Sequence, residues 1–185
     1  MKIVGVMGSP RSESNSTSLA RVVLNKAREL GANTEEFSLN KLKFRGCQAC
    51  ETCKTKLDHC VLEDDLTPVL QAVKEGDAVV LATPNYFGEV SGQFKLFFDR
   101  TYSYLNPDFT SRLQPGKKSV FIMAQGQSNL ALYADVFPRY EMWLKYYGFA
   151  TNHLLRMNGP REANSVSQRL DLVTEAEEIA KKLVS

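Results

Sequence analysis

Four closely spaced cysteines are the residues of this chain best suited to bind a metal. They are Cys47, Cys50, Cys53 and Cys60, and their pattern is Cys-x2-Cys-x2-Cys-x6-Cys. Three cysteines at a spacing of three residues can converge on one centre within a compact turn, and the fourth can close the site. Thiolates are the ligands of iron–sulfur clusters and of structural zinc. The spacing therefore predicts a thiolate metal site, with cluster and zinc both open.

Other interpretations of the cysteines also remain open. A structural zinc usually takes two separated cysteine pairs, which this spacing does not offer. The cysteines could be plain or redox-active thiols, and His59 is a spare ligand unless it is an ordinary surface histidine. The apolar run after Met1 is too short for a signal peptide, so the sequence predicts a cytoplasmic protein. Disulfides are disfavoured because the cytoplasm is reducing.

A second chemical feature is a loop rich in hydroxyl groups after the first apolar run. Residues 8–18 read Gly-Ser-Pro-Arg-Ser-Glu-Ser-Asn-Ser-Thr-Ser and lead into a segment with helical spacing. A helix N-terminus offers unpaired N–H groups and a partial positive charge, which suit a phosphate, and Arg11 adds a full charge. The loop matches neither the triphosphate nor the dinucleotide glycine pattern. It predicts a phosphate site, with simple capping of the helix as the alternative.

Five short apolar runs position these residues, and each is followed by a segment with helical spacing. The runs are Lys2–Met7, Thr34–Leu39, Asp77–Thr83, Lys118–Ala124 and Asn152–Met157, the last closed by Gly159 and Pro160. Helices are predicted over Thr17–Leu30, Leu66–Lys74 (capped by Asp64 and Asp65), Gly92–Tyr102, Leu130–Tyr147 and Ser165–Val184. Nearly continuous apolar strands are typical of parallel sheets. The order predicts an α/β fold, a three-layer α/β/α sandwich with a five-stranded parallel sheet in the order 2-1-3-4-5.

Two motifs resemble those of the NADPH-dependent FMN reductase family of flavodoxin-like proteins. The first is Gly8-Ser9-Pro10-Arg11 followed by Asn15-Ser16, and the second is Thr83-Pro84-Asn85-Tyr86-Phe87-Gly88 continuing through Lys95 to Asp99-Arg100. The resemblance covers residues 1 to about 160. It implies a single flavodoxin-like, FMN-binding domain over residues 1–185, with a cysteine-rich insertion at about 41–63.

The resemblance also implies which residues bind FMN. The first loop would hold the phosphate through Ser9, Arg11, Asn15, Ser16 and Thr17. The second would enclose the ring and ribityl chain through Pro84, Asn85, Tyr86, Phe87 and Gly88, and a third loop at 124–128 would bring Gln125 and Gly126 beside the ring. A flat, mostly apolar ring needs such an aromatic wall, and a glycine lets the backbone approach it. A tight turn whose aromatics form a subunit contact is the alternative, and both can hold at once.

The cysteine spacing resembles that of the iron–sulfur flavoproteins, a branch of the same family. This resemblance implies a [4Fe–4S] cluster on Cys47, Cys50, Cys53 and Cys60, close to the FMN of its own or a neighbouring subunit. The implied function is a flavin-dependent oxidoreductase. It would pass electrons from a ferredoxin-like one-electron donor through the cluster to FMN and on to a quinone, oxygen or peroxide. No side chain is expected to act as a catalytic acid or base, since the cofactors carry the chemistry.

Two other functions remain open: an NAD(P)H-dependent FMN or quinone reductase without a cluster, and a non-enzymatic redox carrier or sensor. The net charge of +2 argues against nucleic-acid and membrane-surface partners. The resemblance implies a homodimer or homotetramer, with Phe87, Phe97, Phe98, Trp143, Tyr146 and Tyr147 as candidate contact residues. The phenylalanines of the 92–102 helix are expected in the core instead, and Asp99 and Arg100 in a structural pair or a subunit contact.

Overall fold

The computed structural model describes residues 1–159 and 165–185, and Pro160, expected to help close the last strand, lies outside them. The strands are β1 (Lys2–Met7), β2 (Asn33–Ser38), β3 (Ala78–Tyr86), β4 (Glu89–Val90), β5 (Lys117–Gln125) and β6 (Phe149–Asn158). The α-helices are α1 (Asn15–Glu29), α2 (Thr52–Thr55), α3 (Thr67–Glu75), α4 (Gly92–Arg100), α5 (Val136–Tyr146) and α6 (Leu170–Val184). Short 3-10 turns cover Leu39–Lys41, Thr101–Tyr104 and Ser165–Gln168.

The long strands form a parallel sheet in the order β2-β1-β3-β5-β6. Counted without the two-residue β4, this is the predicted order 2-1-3-4-5. The short β4 was not predicted. It pairs antiparallel with the end of β3, with Asn85 opposite Val90 and Tyr86 opposite Glu89. The sheet therefore continues into a small hairpin at the end of β3.

Two apolar layers flank the sheet, because successive side chains of a strand point to opposite faces. Val79 and Leu81 of β3 pack on one face with residues of α3, α4 and α5. Val80 and Ala82 pack on the other face with residues of α1 and α6. The predicted three-layer sandwich is confirmed.

One predicted helix is wrong over its first part. A helix was expected over Leu130–Tyr147, but α5 begins only at Val136, and residues 127–135 are irregular. Pro138 explains the late start, because proline has no N–H and its ring clashes with the carbonyl four residues earlier, so it fits only the first turn. The irregular stretch is thereby available to the functional site.

No helix within residues 1–159 and 165–185 has the length and apolar character needed to cross a bilayer.

Candidate functional site

A cleft of about 510 Å³ opens at the carboxyl edge of the sheet, beyond the ends of β1, β3 and β5. Three loops form its walls, and they are the three loops that the sequence singled out. The cleft is lined by Ser9, Arg11, Glu13, Ser14, Asn15, Ser16, Pro84, Asn85, Tyr86, Phe87, Ala124, Gln125, Gly126, Gln127, Tyr133 and Met157. Among the predicted cofactor residues, only Thr17 and Gly88 are absent from this lining.

The first loop turns into α1 with its hydroxyl groups already arranged. Ser14 is the N-cap, and its Oγ accepts the N–H of Thr17 at 3.2 Å. The Ser14 hydroxyl also donates to Thr17 Oγ1 at 2.9 Å. Thr17 is buried beneath the loop, so the structure places it as a support for Ser14 rather than in the cleft wall. A capping side chain and the first N–H groups of α1 thus face the cleft together.

The close approach of the first loop to α4 requires a glycine. A Cβ atom on Gly8 would lie 2.7 Å from Cβ of Phe94, closer than any real contact. The carbonyl of Gly8 accepts the hydroxyl of Ser91 at 2.6 Å, and Ser91 Oγ also accepts the N–H of Phe94 at 3.2 Å. The N-terminus of α4 therefore fixes the position of the loop after β1.

The second loop is the turn between β3 and β4, and its tip is exposed. Phe87 and Gly88 both have positive φ, +51° and +83°, and the Phe87 side chain is fully exposed. The N–H of Gly88 donates to Asn85 Oδ1 at 3.2 Å. Gly88 shapes the turn without lining the cleft, and a Cβ there would lie 3.3 Å from the ring of Tyr133. The turn presents Tyr86 and Phe87 at the cleft mouth.

The third loop is held by a buried glutamine and an arginine from β6. Gln125 is buried, and its Nε2 donates to the carbonyls of Gln127 and Asn129 at 3.1 and 3.0 Å. Arg156 donates to Gln125 Oε1 and to the carbonyls of Leu130 and Leu132. These bonds fold the irregular stretch over the cleft and bring Tyr133 into its wall.

The sequence analysis did not assign several of the residues that line the cleft to cofactor binding. Ser14 could have been found, because it stands three residues before Thr17 at the predicted helix start, as an N-cap does. Tyr133 could not, because the sequence places it inside a predicted helix. Met157 belongs to β6, and only the strand order brings its end to the cleft.

A family model described as NADPH-dependent FMN reductase matches residues 1–135. The chain belongs to this family.

Within the family, curated relatives named iron–sulfur flavoproteins are similar to this chain. One from Methanocaldococcus jannaschii is 42% identical over 101 residues, covering 55% of this chain and 52% of the relative. One from Archaeoglobus fulgidus is 36% identical over 104 residues, covering 56% and 47%. The matched segment thus spans about half the length of these relatives. Over the matched segments, the chain is therefore similar to the iron–sulfur flavoproteins of the family.

Solved structures with low sequence identity share the fold. An FMN-dependent NADH-azoreductase from Bacillus anthracis, in complex with FMN, superposes with a TM-score of 0.77 at 16% identity, covering 100% of both chains. An NAD(P)H:quinone oxidoreductase from Methanothermobacter marburgensis gives 0.76 at 16% identity, covering 100% of this chain and 96% of that one. The flavodoxin-like fold of this family member is thereby confirmed.

The four cysteines line one small pocket in this family member, together with Arg100, Tyr102 and Ser103. All four are free thiols: Cys47 and Cys50 are exposed, Cys53 is buried and Cys60 is half-buried. In the described part of the chain, no three Cys, His, Asp or Glu side chains meet closely enough to hold a metal ion. The structure therefore shows four thiols that line one pocket without forming a closed cage.

The chemistry of the pocket suits thiolate ligands. Ala49 and Glu51, between the cysteines, have φ of +49° and +55°, which bend the chain around the pocket. The N–H of Ala49 lies 3.5 Å from Cys47 Sγ and donates to it. Hydrogen bonds from Thr52 lower the pKa of Cys50, whereas burial raises the pKa of Cys53. In number and type, the four thiols match the donors of an iron–sulfur cluster, but their sulfur atoms are not gathered around one point.

His59 does not share this pocket. Its ring is exposed, and Nδ1 lies 2.8 Å from Oδ1 of Asp58. The interpretation as a surface histidine holds.

The cysteine pocket lies at the far end of α4 from the cleft. Asn40 contacts Gln93 near the start of α4, Gly46 lies against Leu96, and the Arg45 carbonyl accepts a bond from Arg100 at the end. The segment before the cysteines thus runs along the whole helix, which has nine residues and is about 14 Å long. The cleft and the cysteine pocket share no lining residue.

Asp99 and Arg100 do not pair with each other. Asp99 accepts a bond from Lys95, one turn earlier on the surface of α4. Arg100 is buried and pairs with Asp64, which also accepts the N–H of Leu66 just before α3. The expected pair between Asp99 and Arg100 is therefore wrong, and each residue has another partner.

The candidate contact aromatics divide into two groups. Phe97, Phe98 and Tyr147 are buried in the core, whereas Phe87, Trp143 and Tyr146 are exposed. The helix phenylalanines were expected in the core, but the burial of Tyr147 was not predicted. Its hydroxyl lies 2.8 Å from Thr101 Oγ1, and this bond fixes it inside.

Proposed function

We propose that this chain is a flavin-dependent oxidoreductase that binds FMN in the cleft and a [4Fe–4S] cluster on Cys47, Cys50, Cys53 and Cys60. The observation that carries the proposal is the cleft itself, in which a helix N-terminus and an aromatic turn face the same space. Bound FMN takes one or two electrons and a cluster carries one, so together they would link a ferredoxin-like donor to a quinone, oxygen or peroxide.

Different residues of the cleft would bind the phosphate and the ring of FMN. At one end, Ser9, Ser16 and the capped start of α1 offer hydroxyl and N–H donors to a phosphate, and Arg11 adds its charge. At the other end, Tyr86 and Tyr133 offer flat apolar faces to the ring. Gln125, held by Arg156, lines the cleft, and we expect it beside the ring. We propose that residues 1–185 act as one FMN-binding domain.

The cysteines support the cluster part of the proposal through their number, their shared pocket and the N–H donated to Cys47. Iron–sulfur clusters are bound by four thiolates and stabilised by such N–H···S bonds. Metal, sulfide and flavin analysis of anaerobically purified protein tests this part. About four irons and four sulfides per chain are expected, whereas zinc without sulfide would favour a structural metal site.

A second function is favoured by the family description, which names NADPH as the reductant. In that case hydride would pass from NAD(P)H to FMN, and the thiols would be structural or reactive. Anaerobic mixing separates the two functions. Rapid flavin bleaching by NADPH in protein without iron would support the reductase. Bleaching only by a reduced ferredoxin or a one-electron dye would support the iron–sulfur flavoprotein.

Removing the charge from the phosphate loop should weaken FMN binding. Arg11→Gln is expected to raise the FMN dissociation constant about tenfold, because a charge-assisted hydrogen bond contributes about 1.5 kcal/mol. Riboflavin has no phosphate, so its weaker binding should not change. Fluorescence titration of both flavins measures this.

The matched control for this change is Arg28→Gln, which removes an exposed arginine from the other end of α1. It should leave both dissociation constants unchanged. An equal effect of Arg11→Gln on FMN and riboflavin would contradict the assignment of this loop to the phosphate.

We also propose that the exposed aromatics Phe87, Trp143 and Tyr146 lie in a contact between copies of the chain, giving a homodimer or homotetramer. Large exposed aromatic side chains are enriched at such contacts. Sedimentation velocity should show an assembly larger than one chain, and Trp143→Glu should shift it towards the monomer. A wild-type monomer at micromolar concentration would refute the proposal.

A further inference from the structure

Arg100 is the largest fully buried side chain in the described part of the chain. A buried cation needs partners for its charge and its N–H groups. Its Nη1 donates to both oxygens of Asp64, at 2.7 and 2.6 Å, and to the carbonyl of Arg45 at 3.2 Å. Its Nη2 donates to the carbonyl of Leu62 at 2.8 Å. These bonds hold the guanidinium in one position.

The Nε–H of Arg100 has no such partner. It is one of three buried side-chain nitrogens in residues 1–159 and 165–185 for which no hydrogen-bond partner is found. A buried donor without an acceptor costs about 1–3 kcal/mol, so such atoms call for an explanation. Arg100 forms part of the wall of the pocket that the four cysteines line. An acceptor in that pocket would remove the cost.

We propose that Arg100 is a positioning residue for the iron–sulfur centre, with its Nε–H donating to a sulfur of that centre. The inference rests on the proposed function, since it requires the cluster. Asp64 fixes the guanidinium, and Arg100 is among the residues that line the cysteine pocket. A hydrogen bond to sulfur favours the reduced, more negative state of a cluster and therefore raises its reduction potential.

Replacing Arg100 by lysine removes this hydrogen bond but keeps the positive charge. Lysine keeps a positive charge that can pair with Asp64, but it has no N–H at the position of Nε. In anaerobically purified Arg100→Lys, we expect iron and sulfide to be retained and the cluster potential to fall. A tenfold change in the one-electron equilibrium would correspond to about 59 mV. Redox titration followed by electron paramagnetic resonance measures it.

The control variant is Lys56→Gln, which removes an exposed positive charge close to the cysteines in sequence. Its potential should stay near that of the wild type, because the exposed charge is screened by water. Equal potentials for wild type and Arg100→Lys would overturn the inference while leaving the cluster in place. Wild-type protein without iron and sulfide would overturn the cluster proposal, and the inference with it.

If Arg100→Lys does not fold, a measurement on the wild-type protein tests the proposed hydrogen bond. Protein labelled with ¹⁵N-arginine is reduced and studied by electron–nuclear double resonance. We expect a ¹⁵N coupling to the cluster and a coupled proton that is lost in deuterium oxide. Absence of both couplings in protein with a full cluster would overturn the inference.

Discussion

Cys53→Ser should lose nearly all of its iron and sulfide while keeping its FMN. A serine hydroxyl stays protonated at neutral pH and is a far weaker ligand than a thiolate, so the site loses one of its four ligands. The FMN should remain because the cysteine pocket and the cleft share no lining residue and lie at opposite ends of α4. Metal, sulfide and flavin contents per chain give the result directly.

The cysteine variants have a matched control in His59→Ala. His59 adjoins Cys60 in sequence, but its exposed ring pairs with Asp58 and does not line the pocket. We expect full iron content in His59→Ala and the same loss in Cys47→Ser as in Cys53→Ser. Iron that survives every cysteine substitution would show that these thiols are not the ligands. Loss of FMN together with iron would show that the two sites depend on each other.

Asp64→Asn should be the most destabilising single change outside the apolar core. Asp64 is the charged partner of the fully buried Arg100, at 2.6 Å. Leaving a buried charge without its counter-ion costs about 3–5 kcal/mol. Because Asp64 is partly exposed and asparagine can still accept one bond, we expect a loss of about 3 kcal/mol in the free energy of unfolding at pH 7. Urea denaturation measures it.

The same pair should give a pH dependence of definite sign. Partial burial would raise the pKa of Asp64, but hydrogen bonds from Arg100 and two backbone N–H groups outweigh it and hold the pKa below its ordinary value. The stability from this carboxylate is therefore present above the unfolded pKa of about 3.9 and is lost as the pH falls through the lower folded value. The difference between wild type and Asp64→Asn should shrink below about pH 4.

The control for this prediction is Asp65→Asn. Asp65 is exposed and accepts only the N–H of Lys43, at 2.8 Å, among the bonds that the structure gives it. It should lose less than about 1 kcal/mol at pH 7. Equal losses for the two variants would mean that the buried ion pair is not what stabilises this region.

The sequence by itself determined the sheet and the walls of the cleft. Nearly continuous apolar runs mark strands that are buried on both faces, and right-handed crossovers leave few ways to order them. The polar loops follow those runs directly, so the strand order alone brings the loops after β1, β3 and β5 to one edge. The hydroxyl-rich loop after β1 and the aromatic turn after β3 could be predicted for that reason, since both signals are local in the chain.

Only the tertiary structure decided which residues act through contacts between distant segments. Arg100 and Asp64 are 36 residues apart. The sequence near Arg100 offers Asp99 as its partner and gives no sign of Asp64. Tyr133 reaches the cleft because Arg156 of β6 holds an irregular stretch where the pattern predicts a helix. The cysteines lie at the far end of α4 because the chain before them runs along that helix. Local spacing specifies ligand types, whereas long-range packing specifies where they meet.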